Sequence, residues 1–390
     1  QFLYGCFGQL PLKALRLFYS SVRFNFTIYL ILFLIIGKYM QNNNSVYKLY
    51  RTWKTQYVKG SDNSSFVNGS DKSGEKVALS ESQGYGMLIT MLAAQKNQAT
   101  QSDFDKFVVY YKNHTLSEQN HLMAWKQNQS NNEMKTLAEN NTNATDGDMD
   151  IAYALLMADQ KWGSTGNFNY KKIATNILSD LLKHNYNDEN ELLRVGNWAK
   201  NDEKYNNLIR TSDLIPSYFK KFYEVTNDKR WQKIYLKSIK VLKNLRGENK
   251  TGLIPDFVFI THNNISSVSP NTFESANDDK YAWNANRVPL RLAFNTSNKE
   301  LKNINKKMLI FFNQQKSIKA VYSLDGHSAN NYSSMAFTAP IAVAAYQQKS
   351  EFKNFSNALL EQVDSNDLSN SYYADTLKVL AALMIKNDLK

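Results

Sequence analysis

The stretch Ala144-Thr145-Asp146-Gly147-Asp148-Met149-Asp150-Ile151-Ala152 sets three carboxylates at alternate positions and then turns apolar. The apolar residues that follow, Ile151, Ala154, Leu155, Ala158 and Trp162, fall at i, i+3, i+4, i+7 and i+11, the stripe of a helix packed on a core. Thr145, with Asp148 three residues on, reads as a short capping box. Acids at a helix start satisfy free N–H groups and the macrodipole, which accounts for one or two of the three. Gly147 weakens a helix by about 1 kcal/mol relative to alanine. A glycine there is explained if another part of the chain comes close to its backbone. The stretch therefore predicts a buried helix whose first turn carries chemistry.

Outward from it, the chain repeats the same device. Ser, Thr or Asn stands ahead of an apolar run at Ser80, Thr145, Thr211, Asn284, Ser333 and Ser371, leading into residues 84–94, 151–162, 214–222, 288–294, 335–346 and 377–385. The first four starts lie 65, 66 and 73 residues apart, a coarse internal period. Between them come amphipathic, charged segments near 47–57, 104–112, 170–182, 230–245, 299–312 and 352–363. Alternating β-branched runs are few, and the chain has only six prolines. Six apolar helices alternating with six polar-faced ones predict an all-α (α/α)6 barrel, an inner ring wrapped by an outer ring, forming one domain over residues 45–390. Inner helices of such a ring run parallel, so their N-terminal blocks line one cleft.

Residues 1–44 read as a targeting segment: Lys13, Arg16 and Arg23 precede an apolar run from Ile28 to Ile36, and no small-x-small cleavage site follows. The pattern predicts a signal anchor, or a signal peptide, with the remainder outside the cytoplasm, membrane-anchored or secreted. The formal charge of +12 admits nucleic acid, an anionic polymer or a membrane surface as partners. No nucleic-acid-binding module is present, and solvated helix faces such as Lys220-Lys221 and Lys233 to Lys243 carry much of the excess. The single cysteine, Cys6, excludes an internal disulfide framework, and five scattered histidines show no zinc-ligand spacing. No metal or cofactor is expected, membrane contact is expected through the N-terminal segment only, and the chain is expected to act as a monomer.

The stretch from Ala144 to Trp162 resembles the signature of glycoside hydrolase family 8, a family of inverting endo-glucanases. A second block, Ser80-Glu81-Ser82-Gln83-Gly84-Tyr85-Gly86-Met87-Leu88, resembles the family's Ser-Glu-Gly-Gln-Gly-Tyr-Gly-Met and departs from it at Ser82. Weaker similarities run through Leu122–Trp125, Gly252–Asp256, Arg287–Pro289, Tyr322–Gly326 and Asp375–Leu377. The resemblance spans roughly residues 45 to 390 and implies the same barrel.

Glycoside hydrolysis with inversion needs a protonated carboxyl to serve the leaving oxygen and a carboxylate to activate water, about 6.5–9.5 Å apart. The resemblance places Glu81 as the acid, after a Ser80 cap with Gln83 as its box partner, and Asp146 as the aspartate that holds the distorted sugar ring. Asp148 is the alternative holder or its supporting partner; Asp150 is the weakest of the three. In the cellulase-type branch the base is an aspartate where this chain has Asn284, and an amide cannot take up the proton. In the branch with chitosanases and lichenases it is a glutamate on a preceding loop, which assigns Glu274, with Asp278 and Asp279 as fallbacks. Trp125, Trp198 and Trp283 are candidates for stacking on sugar faces, although each suits a core equally well. Arg287, Arg210, Asp213 and Asn284 are candidate sugar contacts, with Tyr322 and Tyr372 weaker ones. The expected activity is endo-hydrolysis of a β-1,4 or mixed β-1,3-1,4 glucan or a chitosan-like polymer. The rival expectation is a catalytically silent polysaccharide-binding barrel, in which Asn284 marks a lost base.

Overall fold

The computed structural model describes residues 45–389. The expected targeting segment lies outside the described residues. Twelve α-helices are found among the described residues: α1 (45–57), α2 (Ser80–Gln95), α3 (Gln101–Asn113), α4 (Thr145–Trp162), α5 (Tyr170–His184), α6 (Pro216–Thr226), α7 (Lys229–Gly247), α8 (Val288–Ala293), α9 (Lys299–Asn313), α10 (Met335–Gln347), α11 (Lys353–Val363) and α12 (Tyr372–Lys386). Even-numbered helices form the inner ring. α2 is buried on every face from Ser82 to Ala94, and α10 from Ala336 to Ala345, as helices enclosed by other helices must be. Odd-numbered helices bury one stripe; on α7 it is Trp231, Ile234, Ser238, Val241, Leu242 and Leu245.

α2 packs between α4 and α12, and α10 between α8 and α12. Aromatic rings close the circle: Tyr153 of α4 stacks on Tyr218 of α6 at 4.0 Å, and Phe294, just after α8, meets both edge-on. Such pairs contribute about 0.5–1.5 kcal/mol each beyond their burial. At one end Asn387 donates to the Leu92 carbonyl and Gln347 to the Ala293 carbonyl, joining the C-termini of α12 to α2 and of α10 to α8. The inner helices thus run parallel in an (α/α)6 barrel, and their N-termini meet at the other end.

Two glycines let α2 and α4 cross closely. A Cβ on Gly147 would lie 2.5 Å from the Ser80 carbonyl carbon and Oγ, and one on Gly84 would lie 2.6 Å from Asp150 Cβ. Ser80 is therefore the part of the chain that approaches Gly147, and its Oγ is buried without a hydrogen-bond partner. This corrects the expected cap. Leu79 is the N-cap of α2, and its N–H is met by Ser82 Oγ at 3.0 Å. Ser82 also donates to the Val67 carbonyl at 2.9 Å, so the residue that departs from the family block secures the helix start. Gln83 reaches the Phe107 carbonyl instead of closing a box. Thr145 likewise is no cap: it opens α4 behind Ala144 and donates to the Arg194 carbonyl.

Short antiparallel strands in the connections qualify the all-α reading. One sheet joins Val77–Leu79, Lys126–Ser130 and Glu133–Lys135 ahead of α2 and α4. Another joins Leu208–Arg210, Phe257–Thr261 and Asn264–Ser267, between the chain segments entering α6 and α8. Pieces of three to five residues are too short for an alternating pattern to register.

Candidate active site

The N-terminal end of the inner ring gathers acids around two arginines. Glu81 enters from the first turn of α2 and Asp146 from that of α4; Arg287 comes from the 3-10 turn before α8 and Arg210 from the end of a strand. Arg287 Nη1 bridges Glu81 Oε2 at 3.1 Å and Asp146 Oδ2 at 2.9 Å. Arg210 Nη2 holds Glu274 Oε1 at 2.6 Å, while its Nη1 lies 3.7 Å from Asp146 and 3.6 Å from Asp213. Asn284 links the two arginine centres: its amide nitrogen donates to Glu274 Oε2 at 2.8 Å and its oxygen accepts from Arg287 at 2.8 Å. An aspartate at 284 has no proton for the first of these bonds, so the asparagine serves as a clamp on Glu274.

Within this cluster Asp146 and both guanidiniums are buried, whereas the side chains of Glu81 and Glu274 keep 22% and 39% of their exposure. Their protonation is driven apart. Burial pushes Glu81 up to about 7, outweighing Arg287, and the nearby Asp146 charge adds to the rise. Burial also opposes the Glu274 charge, but Arg210 and the Asn284 amide hold it below the ordinary glutamate value. Asp146 is held at about 2, because Arg210 and Arg287 overcome its desolvation. Burial raises Asp213 to about 7. Both its carboxyl oxygens, Ser212 Oγ and Arg210 Nε are buried without hydrogen-bond partners among the described residues. The floor of the cleft therefore retains unmet hydrogen-bonding capacity.

The loop that carries Glu274 is held by Asp278, one of the two fallback acids. Asp278 is fully buried and accepts from the backbone N–H groups of Phe273, Glu274 and Ser275, at 2.7, 3.1 and 2.9 Å. Asp279 pairs with Lys280. Glu274 is the acid of this loop that reaches the cluster.

Three further expectations are corrected. Asp148 is turned away from the cleft, fully buried, accepting from the Met123 N–H and the Asn143 amide, and raised to about 8 chiefly by burial. Residues two apart on a helix face opposite ways, so Asp146 and Asp148 cannot share the site. Tyr322 is buried against Phe311 and Phe312, with its hydroxyl accepting from the Lys319 N–H, so it is a core residue. Trp198 is half-buried between Tyr205 and Phe273 and buttresses the residue preceding Glu274. Trp125 and Trp283 remain exposed at 36% and 37%. The Trp125 carbonyl accepts from the Ser80 N–H and the Trp283 carbonyl from Tyr373 Oη, which places the two beside α2 and α12 at the cleft end.

Some residues of the site were missed or undervalued by the sequence reading. Asp256 is buried, accepts from the N–H groups of Ala282 and Ala285, and stands beside Asn284, fixing the turn that carries Asn284. Tyr372 Oη lies 3.3 Å from Glu81 Oε1, a stronger place than the sequence gave it. One helical turn below the cluster, Arg291 makes two 2.6 Å bonds to the Asp150 carboxylate, which also accepts from Tyr218. An acid one turn after Asp146 and an arginine one turn after Arg287 were the available signals.

This arrangement of two accessible glutamates, one pushed up by burial and one held down by Arg210 and Asn284, beside an aspartate paired with Arg287, fits general acid–base chemistry on a hydroxylated ligand. The chain matches the sequence profile of glycosyl hydrolases family 8 over residues 27–387. It belongs to that family. As a family 8 chain it is a glycoside hydrolase, and its similarities agree. A β-glucanase of Niallia circulans is 32% identical over 356 residues, covering 89% of this chain and 85% of that protein. An endoglucanase of Bacillus sp. (strain KSM-330) is 31% identical over 364 residues, with coverage of 88% and 76%. Among solved structures, the β-1,3-1,4-glucanase from Paenibacillus sp. X4 superimposes with a TM-score of 0.82 at 31% identity, covering 90% of this chain and 93% of that one.

Proposed function

We propose that the chain is an inverting endo-β-glucanase acting on mixed-linkage β-1,3-1,4 glucan, with Glu81 as general acid and Glu274 as general base. The observation that carries this reading is that the two partly exposed glutamates of the cluster are held differently, Glu81 by Arg287 and Glu274 by Arg210 and the Asn284 amide. Glu81, proton-bound below about 7, donates to the leaving oxygen. Glu274, kept ionised by Arg210 and Asn284, takes a proton from the water that attacks the opposite face of the sugar. Asp146 accepts hydrogen bonds from hydroxyls of the ring at the cleavage point, and Trp125 and Trp283 offer stacking faces. Mixed linkage is preferred over plain β-1,4 because a glutamate, not residue 284, supplies the base, and because two of the similar proteins are named as a β-glucanase and a β-1,3-1,4-glucanase.

The test is reducing-end release from lichenan and carboxymethyl-cellulose by residues 45–390, with the product anomer read by NMR. Initial products should have the α configuration. Glu274→Ala should abolish turnover on lichenan yet regain part of the rate on a β-glycosyl fluoride with azide, which takes the place of the water and gives an α-glycosyl azide. Failure of the wild type on every glucan, with one of them still bound, would establish the silent barrel instead. Residues 45–390 are taken as the catalytic domain, lying outside the cytoplasm behind the N-terminal anchor. The basic-then-apolar order of residues 13–36 supports this. Protection of the domain from protease added to spheroplasts would refute that location.

A further inference from the structure

The formal surplus of charge is confined to one sector. Residues 216–250 and 299–319, which carry α6, α7 and α9, contain sixteen lysines and arginines against four acids, and the rest of the chain is balanced. Part of this charge is committed: Lys233 pairs with Glu191, Lys243 with Glu300 and Lys306 with Glu351, and Lys237 donates to the His262 carbonyl. Lys220 and Lys221 have no ion-pair or hydrogen-bond partner among the described residues. Both border a cavity of about 510 Å³ walled by α4, α6, α7 and the turn into α9. Gln160, on the same wall, lies fourteen residues beyond Asp146 on α4, which is about 21 Å at 1.5 Å per residue. The cavity therefore opens at the end of the barrel opposite the cleft.

Its polar groups are held in place. Asn295 donates to Tyr153 Oη at 2.7 Å and Asn298 to Tyr235 Oη at 3.1 Å, while Ser217 Oγ has no partner. Asn298 is also the N-cap of α9, so the positive end of a fifteen-residue helix opens on the same space. The one acid on the wall, Glu224, follows Lys220 and Lys221 by one turn of α6 and leaves the wall net positive. A volume of this order suits a ligand with several rings or branches rather than a bare ion.

We propose that this cavity is a second binding site, for an anionic saccharide. A carboxylate or phosphate on the sugar meets Lys220, Lys221 and the α9 N-terminus, and its hydroxyls meet Asn295, Asn298 and Ser217. Such a site tethers the enzyme to an acidic polymer while the cleft works on a neutral one.

Calorimetry on residues 45–390 tests it, with trigalacturonate and glucose 6-phosphate as the two sources of charge and inorganic phosphate as the control. One of the two sugars should bind, more weakly as salt rises. The double variant Lys220→Glu/Lys221→Glu should lower that affinity about tenfold or more, since each lost charge-assisted contact is worth about that factor. Its turnover on lichenan should not change, which also shows that the variant is folded. Glu224→Gln should tighten binding. No binding by either sugar, or affinity unchanged in the double variant, overturns the proposal. Inorganic phosphate binding as tightly as the sugar overturns its saccharide character.

Discussion

Replacing Gly147 by alanine tests whether the close crossing of α2 and α4 sets the catalytic geometry. The added methyl would sit 2.5 Å from the Ser80 carbonyl carbon and Oγ and 2.7 Å from Ser80 Cβ. Carbon atoms prefer about 3.5–4.0 Å, so the start of α2 must retreat by about 1 Å. Glu81 follows Ser80 and Asp146 precedes Gly147, so the retreat opens the gap bridged by Arg287. A misplacement of about 1 Å costs about 100-fold in rate, or about 2.7 kcal/mol of barrier. Stability responds less: overpacking costs about 1–3 kcal/mol, offset by up to about 1 kcal/mol of helix propensity. The expected result is a folded enzyme, melting a few degrees lower, whose kcat on lichenan is down by two orders of magnitude. Gly247→Ala is the control, since nothing lies within 4 Å of its added Cβ, and it should leave turnover unchanged. A Gly147→Ala enzyme with more than half the wild-type kcat would refute the reasoning.

The pH profile of kcat/KM should fall above about 7, as Glu81 loses its proton, and on the acid side only below the ordinary glutamate range. Asn284→Asp removes the amide clamp and adds a like charge beside Glu274, so the acid limb should move to higher pH; an unmoved limb would mean that Glu274 does not titrate in it. Arg291→Met leaves the Asp150 carboxylate buried without its main partner and should cost about 3–5 kcal/mol in urea melts, a penalty relieved by adding Asp150→Leu. Burial raises Asp148 to about 8 and Asp256 to about 7, so between the ordinary aspartate range and those values the folded chain holds protons that the unfolded chain has released. Stability should accordingly decline as pH rises from 5 to 8.5, and a urea midpoint that climbs over this interval would contradict the assignment.

The first turn of α4 was legible as a site because three acids and a glycine exceed what a cap requires, and Gly147 proved to be where Ser80 approaches. Which of the acids faces the cleft was legible too, from the two-residue spacing of Asp146 and Asp148, yet the sequence reading kept both. The twelve-helix ring followed from periodicity, because its faces repeat every 3.6 residues. The strand that carries Arg210 did not, since its partner lies some fifty residues away, and the hairpin formed by that partner and Asn264–Ser267 is only a few residues long on each side. The caps at Ser80 and Thr145 were misread by one residue for a related reason: Thr145 donates to the Arg194 carbonyl and Ser80 packs against Gly147 with its Oγ unpartnered, which local pattern does not reveal. Tyr322 and Trp198 were assigned to sugar from residue type, whereas packing against Phe311, Phe312 and Phe273 decides their place.

Asp146 and Asp150 stand one turn apart on α4, and Arg287 and Arg291 one turn apart at the start of α8 and within it. The barrel axis is thus crossed by two rungs of opposite charge where a helical ring of this size would ordinarily be greasy. Apolar side chains tolerate sliding past one another, but a two-pronged bond such as that of Arg291 to Asp150 tolerates almost none. The lower rung fixes the register of α4 against α8 out of reach of the ligand. The upper rung is held by single contacts from one Arg287 nitrogen to Glu81 and Asp146, and so constrains the scaffold less.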